Sequence, residues 1–181
     1  MRPALRLPLL LALFAAWPAF ALNPGLGPPP DTLDRDTPSA AVHGFLSAAH
    51  EGRYEEAAHY LYLDFLRRDQ QAIEGPRLAR RLRFVLDRKV WIDFTKISKD
   101  AAGDPAHAWW DQIGAIPLGN TNQPIRVMRV DGGDGEWVWV FGSETVKAID
   151  RLYDAYGPPL GDELPDFFFR HSFLYLELWQ W

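Results

Sequence analysis

Three histidines near the start of the chain are the first residues whose type and spacing could support chemistry. His43 and His50 are seven residues apart, which places them on roughly the same face of a helix, and His59 follows. Imidazole nitrogens are zinc ligands, but neither a His-x-x-x-His nor a His-Glu-x-x-His motif accompanies them, and the spacing supplies no third ligand. Since the chain also contains no cysteine, thiolate ligands and thiol catalysis are excluded. We therefore predict no metal site and no cofactor.

Two further patterns resemble catalytic motifs only in part. Ser143 lacks the Gly-x-Ser-x-Gly context of a nucleophile elbow, and its position before an apolar periodic stretch predicts a helix N-cap instead. Gly132, Gly133 and Gly135 are not followed by Gly-Lys-Ser/Thr, and predicted strands lie on both sides of them. These glycines are typical of a hairpin turn rather than of a phosphate-binding loop.

Carboxylate pairs are the remaining candidates for acid and base catalysis. Asp93, Asp104 and Asp111 each lie at a predicted strand end or turn, where aspartate is common for local hydrogen bonding. The sequence brings together no nucleophile, base and oxyanion donor. We therefore predict that the protein is not an enzyme.

The elements that position these residues begin with helices. Thr37-Pro38 predicts an N-cap and first turn, Val42 and Phe45 then fall on one face of the helix, and Gly52 ends it. A second helix is predicted over residues 54–61. A third helix is predicted to start at Pro76, with an apolar face made by Leu78, Leu82, Val85 and Leu86.

From residue 90 the apolar period changes from helical to alternating. Strands are predicted over residues 90–94 and 113–118, and residues 125–130 and 136–141 predict an antiparallel hairpin around a glycine-rich turn. Trp137, Trp139 and Phe141 share one face of the last strand and Val138 and Val140 the other, which indicates cover on both sides. A last helix is predicted from Ser143 to Tyr156, before Gly157. The predicted class is α+β: helices first, a small antiparallel sheet, then a C-terminal helix.

The first 36 residues predict export. Arg2 and Arg6 precede an apolar stretch, and Ala19-Phe20-Ala21 is a small-x-small cleavage site, so residues 1–21 are predicted to be a signal peptide. Residues 22–36 are rich in proline and glycine and predict an extended tether. The α+β domain is expected over residues 37–159, followed by a membrane-proximal segment, 160–181.

The predicted third helix carries a cluster of basic residues in a chain whose net charge is −5. A solvated face with acidic neighbours is the commoner outcome for such a cluster, and contact with lipid headgroups is the alternative. The acidic balance argues against a nucleic-acid partner. The cluster consists of Arg77, Arg80, Arg81, Arg83 and Arg88.

Aromatic residues dominate the C-terminal segment, as they do the composition, which includes eight Trp residues. Tryptophan and tyrosine are enriched at the boundary between lipid and water. We favour the interpretation that this segment lies at a membrane interface, where a transmembrane helix begins and the sequence is truncated. The alternative is that the segment packs on the core of the domain. The predicted interface residues are Phe167, Phe168, Phe169, Tyr175, Trp179 and Trp181.

Several stretches together resemble a known family. The opening, Thr37 to Leu61, is similar to cystatin-like and SnoaL-like α+β domains, in which amphipathic helices pack on a curved sheet. A more specific series resembles the periplasmic N-terminal region of bacterial small-conductance mechanosensitive (MscS-like) channel proteins. It consists of Gly75-Pro76-x-Leu78 through Val90-Trp91-Ile92-Asp93, Ile113-Gly114-x-Ile116-Pro117-Leu118-Gly119, Trp139-x-Phe141, Leu152-Tyr153-x-Ala155-Tyr156-Gly157 and Leu176-x-Leu178-Trp179-Gln180-Trp181.

The resemblance implies a non-catalytic domain on the periplasmic side of the bacterial inner membrane. Its implied partners are the lipid bilayer, the remainder of a channel polypeptide and neighbouring copies in a homo-oligomer, and its implied role is in the response to osmotic shock. No pore or selectivity residue can be assigned, because the family's pore helix is not in this sequence. The alternative is a free periplasmic cystatin-like domain that binds a small apolar ligand among Trp91, Trp137 and Trp139.

Overall fold

The fold is an α+β arrangement in which helices pack against a small antiparallel sheet, as the sequence predicted. The computed structural model describes residues 22–133 and 135–158, and the backbone of residues 172–173 and 176–177. In chain order the elements up to residue 158 are α1 (Pro38–His50), α2 (Tyr54–Ala58), α3 (Arg68–Lys89), β1 (Trp110–Leu118), β2 (Thr121–Asp131), β3 (Trp137–Phe141) and α4 (Ser143–Tyr156).

The helical hairpin of α1 and α2 follows the local signals closely. The Thr37 hydroxyl accepts a hydrogen bond from the Ala40 N–H at 3.0 Å, which confirms the predicted N-cap. Gly52 has a φ of 73°, a conformation that glycine adopts without strain, and it turns the chain into α2. The second helix ends at Ala58, earlier than predicted, because the Tyr60 carbonyl accepts from Phe141 and the Tyr62 N–H donates back to it.

Helix α3 starts at Arg68, eight residues before the predicted start at Pro76, so that prediction was wrong. Proline inside a helix removes one hydrogen bond and costs roughly 3 kcal/mol. Close packing at the neighbouring Gly75 favours a continuous helix, since a Cβ placed there would lie 3.1 Å from the Ala58 Cβ and 3.2 Å from Leu63. Tertiary contact between α2 and α3 therefore outweighs the local signal.

The sheet has the order β1-β2-β3, and both strand pairs are antiparallel. The predicted hairpin is confirmed, with Val127 opposite Phe141 and Asp131 opposite Trp137. The strand predicted over residues 113–118 is confirmed as part of β1, which carries a β-bulge between Gln112 and Gly114.

Residues 90–94 do not form a strand, which corrects the sequence-based prediction. The Asp93 carboxylate accepts hydrogen bonds from the backbone N–H and the hydroxyl of Thr95, and this local turn replaces strand pairing. Val90 packs closely on Gly114 of β1, whereas Trp91 is 94% exposed. The alternation of apolar and polar residues that suggested a strand therefore has another cause: Val90 packs on the sheet and Trp91 faces solvent.

The core lies between α1, α3, α4 and one face of the sheet, and Trp139 and Phe141 of β3 point into it. The Phe45 ring of α1 packs edge-on against Phe141 with centroids 4.8 Å apart. Val138 and Val140, on the opposite face of the strand, are also buried. The predicted cover on both sides of this strand is confirmed for residues 138–141, whereas Trp137 at the start of the strand is exposed.

Ser143 is the first residue of α4 and does not cap it, contrary to the prediction. The N-cap is Gly142, whose extended backbone places its carbonyl to accept from the Val146 N–H, and the Ser143 hydroxyl donates to the Asp64 carboxylate instead. Thr145 joins this helix to the sheet, since its hydroxyl accepts from the Arg126 N–H.

The segment predicted to be an extended tether packs on the domain. Asn23 is buried, its amide donates to the Leu61 carbonyl at 2.7 Å, and its oxygen accepts from the Leu63 N–H at 3.1 Å. Farther along the segment, the Arg35 carbonyl accepts a hydrogen bond from the backbone N–H of Trp139. The segment is therefore fixed to the domain, because its groups have partners on α3, on β3 and in the stretch that follows α2.

At the C-terminal end the described residues form two short strands. β4 (Ser172–Phe173) and β5 (Leu176–Glu177) pair antiparallel, at positions where the sequence analysis expected a membrane helix to begin. The predicted interface residues Phe167, Phe168, Phe169, Tyr175, Trp179 and Trp181 lie outside the described residues, as does the predicted signal peptide. Within the part of the chain that is described, none of the helices is long and apolar enough to cross a bilayer.

Candidate functional site

The three histidines of the first hairpin have separate surroundings. The His43 ring lies edge-on to Phe94, with centroids 6.1 Å apart, and the His50 Nε2 lies 2.9 Å from an Asp87 carboxylate oxygen. His59 is buried. Across residues 22–133 and 135–158, no three His, Asp or Glu side chains gather as a metal site would require. The absence of a bound metal in solution stays a prediction.

Burial sets the titration of His59. Loss of solvent lowers the pKa of the imidazole, the nearby Arg35 charge lowers it further, and Glu56 only partly opposes them. The Arg35 guanidinium donates to the His59 carbonyl at 3.0 Å, which keeps that positive charge close. The folded protein therefore holds His59 neutral at a pH where the unfolded chain would protonate it.

We expect the free energy of unfolding to fall as the pH drops below about 6.5, the value for an unfolded histidine. Between that value and the lower folded pKa, the unfolded state binds the extra proton, with a slope of at most about 1.4 kcal/mol per pH unit for one group. Urea denaturation from pH 7.5 to 5 measures this slope. The His59→Gln variant should flatten it and the exposed His43→Gln should not; an unchanged slope in His59→Gln would contradict the assignment.

The three candidate carboxylates hold loops in place. Asp93 accepts from Thr95, Asp104 accepts from the Ala106 N–H at 2.8 Å, and Asp111 accepts from the Ser98 N–H at 2.8 Å. The hydrogen bonds from Thr95 lower the pKa of Asp93. Asp93 and Asp104 each lie at the start of a turn and Asp111 lies at the start of β1, so the prediction of a turn or strand-end position is confirmed, although residues 90–94 form no strand. Each carboxylate is already engaged by a neighbouring loop residue.

The glycine-rich stretch is the turn of the β2–β3 hairpin. Gly133 and Gly135 have φ values of 108° and 81°, and the Gly133 N–H donates to the Asp131 carboxylate at 2.9 Å. Glycine adopts positive φ values without strain, so the turn geometry alone accounts for glycine at these two positions and no bound phosphate is needed to explain it.

Four arginines of α3 have partners within the domain, carboxylates for three of them and a backbone carbonyl for the fourth. Arg77 makes a bidentate pair with Asp150 of α4, at 2.9 and 3.1 Å, and Arg81 donates to the same carboxylate at 2.8 Å. Burial opposes ionisation of Asp150, but these hydrogen bonds outweigh it and hold the pKa below its usual range. Arg83 donates to Asp87, and Arg88 to the Tyr156 carbonyl. The prediction of acidic neighbours is confirmed for Arg77, Arg81 and Arg83, whereas Arg88 is held by a backbone carbonyl.

A polar cleft of about 720 Å³ lies between the N-terminal segment, α1 and α2. Gly44 of α1 leaves room for the Tyr60 hydroxyl there, since a Cβ at Gly44 would lie 2.2 Å from that oxygen, and burial raises the pKa of Tyr60. Thr37 caps α1 and Arg53 pairs with Glu51 and Glu56. These polar groups are used in contacts within the domain itself. The cleft is therefore a weaker candidate for a ligand site than the surface described next.

Two exposed tryptophans meet at the open end of the sheet. The rings of Trp109 and Trp137 lie edge to face with centroids 5.4 Å apart, and the side chains are 56% and 46% exposed. The Arg129 guanidinium lies over the Trp137 ring, 5.4 Å from its centroid. We call Trp109, Trp137 and Arg129 the tryptophan platform.

Arg129 has an unusual environment within this platform. Its Nε is buried and has no hydrogen-bond partner. The backbone N–H of Arg129 donates to the Trp109 carbonyl at 3.0 Å, which fixes the loop residue beside the strand. Asp131 lies two residues along β2, directly opposite Trp137 in the register. A cation, a carboxylate and two aromatic faces therefore lie together on one surface.

The tryptophans that the sequence analysis proposed as a ligand pocket do not line one cavity. Trp139 is fully buried and its indole N–H donates to the Ala101 carbonyl at 3.1 Å, whereas Trp91 is 94% exposed. Sequence reasoning missed Trp109 and Arg129 as partners of Trp137. The available signal was the strand register, which places Arg129 and Asp131 on the same face as Trp137.

No family model, curated protein or solved structure matches this chain.

Proposed function

We propose that this chain is a non-catalytic, extracytoplasmic domain of an MscS-like mechanosensitive channel protein, positioned on the periplasmic side of the inner membrane. The observation that carries the proposal is a residue series: the stretches that resemble this family end in an aromatic run, Leu176 to Trp181, of the kind found where a chain meets a bilayer. The folded helices and sheet precede that run.

The contacts of the candidate catalytic side chains support a non-catalytic role. Asp93, Asp104 and Asp111 hold loops, and Ser143 donates to Asp64. The Ser143 hydroxyl donates to the Asp64 carboxylate in an exposed hydrogen bond of 3.1 Å, and a solvated carboxylate is a weak general base for activating a hydroxyl at neutral pH.

In this proposal the domain acts through contacts that differ between channel states. A domain on the outer face of the membrane touches lipid, neighbouring copies and the rest of its own polypeptide. Any contact that is stronger in one state shifts the population toward that state. The membrane part of the protein would then respond to membrane tension, and this domain would shift the equilibrium between the closed and open states.

Membrane association tests the first part of the proposal. The mature chain, residues 22–181, should float with phospholipid vesicles in a density gradient, because Phe167, Phe168, Phe169, Tyr175, Trp179 and Trp181 supply interfacial aromatic rings. Replacing these six residues by serine should leave the chain in the dense fraction. Serine at Trp91, Trp109 and Trp137 is the matched control and should still float; equal flotation of the chain and the six-residue variant would contradict the proposal.

A channel role makes a separate prediction in cells. Deleting residues 37–158 from the native gene should change survival of osmotic downshock, whereas the His43→Gln and His50→Gln replacements should leave survival unchanged. Survival that is the same with and without the domain would argue against the channel assignment even if the membrane association holds.

A further inference from the structure

The proposed function makes no use of the tryptophan platform, and the chemistry of the platform indicates a ligand. Two large apolar rings remain half exposed although the neighbouring Trp139 is fully buried, so the domain could have covered such residues but leaves these accessible. Exposed aromatic patches mark interaction sites more often than single exposed residues do. We propose that the platform binds a neutral polysaccharide strand.

The charges around the platform select this class of ligand over two others. Arg129 lies over Trp137, and Asp131 lies across the strand pair from the same ring, so the surface presents both signs of charge. Glu136, which is exposed, directly precedes Trp137. A bilayer with anionic headgroups, or a nucleic acid, would meet these carboxylates as like charges, and burying them in a membrane interface would cost desolvation energy.

A pyranose ring matches the same surface. Its apolar C–H face can pack on an indole, and its hydroxyls both donate and accept hydrogen bonds. The Asp131 carboxylate accepts one bond from Gly133 through Oδ1 and keeps further lone pairs. The Arg129 guanidinium lies over the Trp137 ring; its Nε is buried, so its two terminal nitrogens are the donors that a ligand could reach. The edge-to-face pair of Trp109 and Trp137 offers two faces at 62° to each other, which suits consecutive sugars of a twisted strand better than a flat ligand.

The ligand class rests on the proposed extracytoplasmic location, where envelope glycans are within reach, but its test does not depend on the membrane. Titration of the mature chain with a chitin tetrasaccharide, followed by intrinsic tryptophan fluorescence and by NMR, should show saturable binding. Trp137→Ala should weaken it by roughly fivefold or more, which corresponds to about 1 kcal/mol, the order of magnitude that one stacked aromatic ring contributes.

Two further variants separate binding from folding. Arg129→Met keeps an aliphatic stem over Trp137 and removes the donors, so it should weaken tetrasaccharide binding severalfold without lowering the urea midpoint, since the Nε that it removes is buried and unpaired. Trp91→Ala removes a tryptophan that is 94% exposed and lies outside the platform, and it should bind as the parent does.

The outcomes that overturn the inference are distinct from those that bear on the proposed function. No tetrasaccharide binding by the parent chain, or equal binding by Trp137→Ala and Trp91→Ala, would overturn the glycan platform. Loss of vesicle flotation on replacing Trp109 and Trp137 would also overturn it and would assign the platform to lipid. Flotation that depends on the six C-terminal aromatic residues, by contrast, tests only the membrane proposal.

Discussion

Removing residues 22–36 is expected to destabilise the domain by on the order of 5 kcal/mol, since buried partners lose hydrogen bonds that are each worth roughly 1 kcal/mol when made and more when one side is left unpaired. The bonds lost join Asn23 to Leu61 and Leu63, Gly25 to Gln71, Arg35 to His59, and the Arg35 carbonyl to Trp139. Small domains have only about 5–15 kcal/mol of stability in total. Urea denaturation of chains 22–181 and 37–181 measures the difference.

Two point variants identify which part of the segment matters. Asn23→Ala should account for about 2 kcal/mol or more, because it leaves the Leu61 carbonyl and the Leu63 N–H without their partner in a buried site. Asp31→Ala, in the exposed part of the same segment, should change stability by less than about 0.5 kcal/mol. Equal stability of the two chains would contradict this prediction and would indicate that residues 22–36 act only as a tether.

Trp139→Ala is expected to cost about 3–5 kcal/mol, the range for deleting a large buried aromatic side chain. The indole is fully buried, donates to the Ala101 carbonyl, and packs so closely on Gly103 that a Cβ there would lie 2.7 Å from the ring. The variant would leave a cavity and an unpaired carbonyl. Thermal and chemical unfolding of the mature chain measure the loss.

The matched control for this variant is Trp91→Ala. Both changes delete an indole, but Trp91 is 94% exposed, so its removal should change stability by less than about 0.5 kcal/mol. Trp139→Phe should fall between the two, since it keeps most of the ring volume and loses the hydrogen bond. A Trp139→Ala chain that unfolds at the parent midpoint would contradict the placement of β3 in the core.

The parts of the fold that the sequence predicted are those in which local chemistry and tertiary packing agree. Thr37 and Pro38 start α1, and the glycine-rich turn joins β2 to β3, because capping and positive φ are properties of a few adjacent residues. The predictions failed where a distant contact decided the outcome. Pro76 lies inside α3 because Gly75 packs on Ala58 and Leu63.

The candidate site was harder to predict than the fold for the same reason. That Trp137 lies in a strand follows from its alternating neighbours, but its contact with Trp109 depends on the path of the loop that precedes β1. The arginines of α3 looked like a basic surface because Asp150, which binds Arg77 and Arg81, is about seventy residues away in sequence. Charge pairing at that separation is visible only once α3 and α4 are packed together.

If the chain is exported as its sequence predicts, the buried position of Asn23 has a consequence for the order of folding and cleavage. If the signal peptide is cleaved after Ala21, the scissile bond lies two residues from a side chain that is fixed between Leu61 and Leu63. A peptidase needs an extended, accessible chain on both sides of the bond that it cuts. Once Asn23 is bound between Leu61 and Leu63, the residues that follow the bond can no longer extend into a peptidase active site. Proteolytic maturation would therefore have to precede the last step of folding, and a chain that folded first would keep its leader and stay held at the membrane.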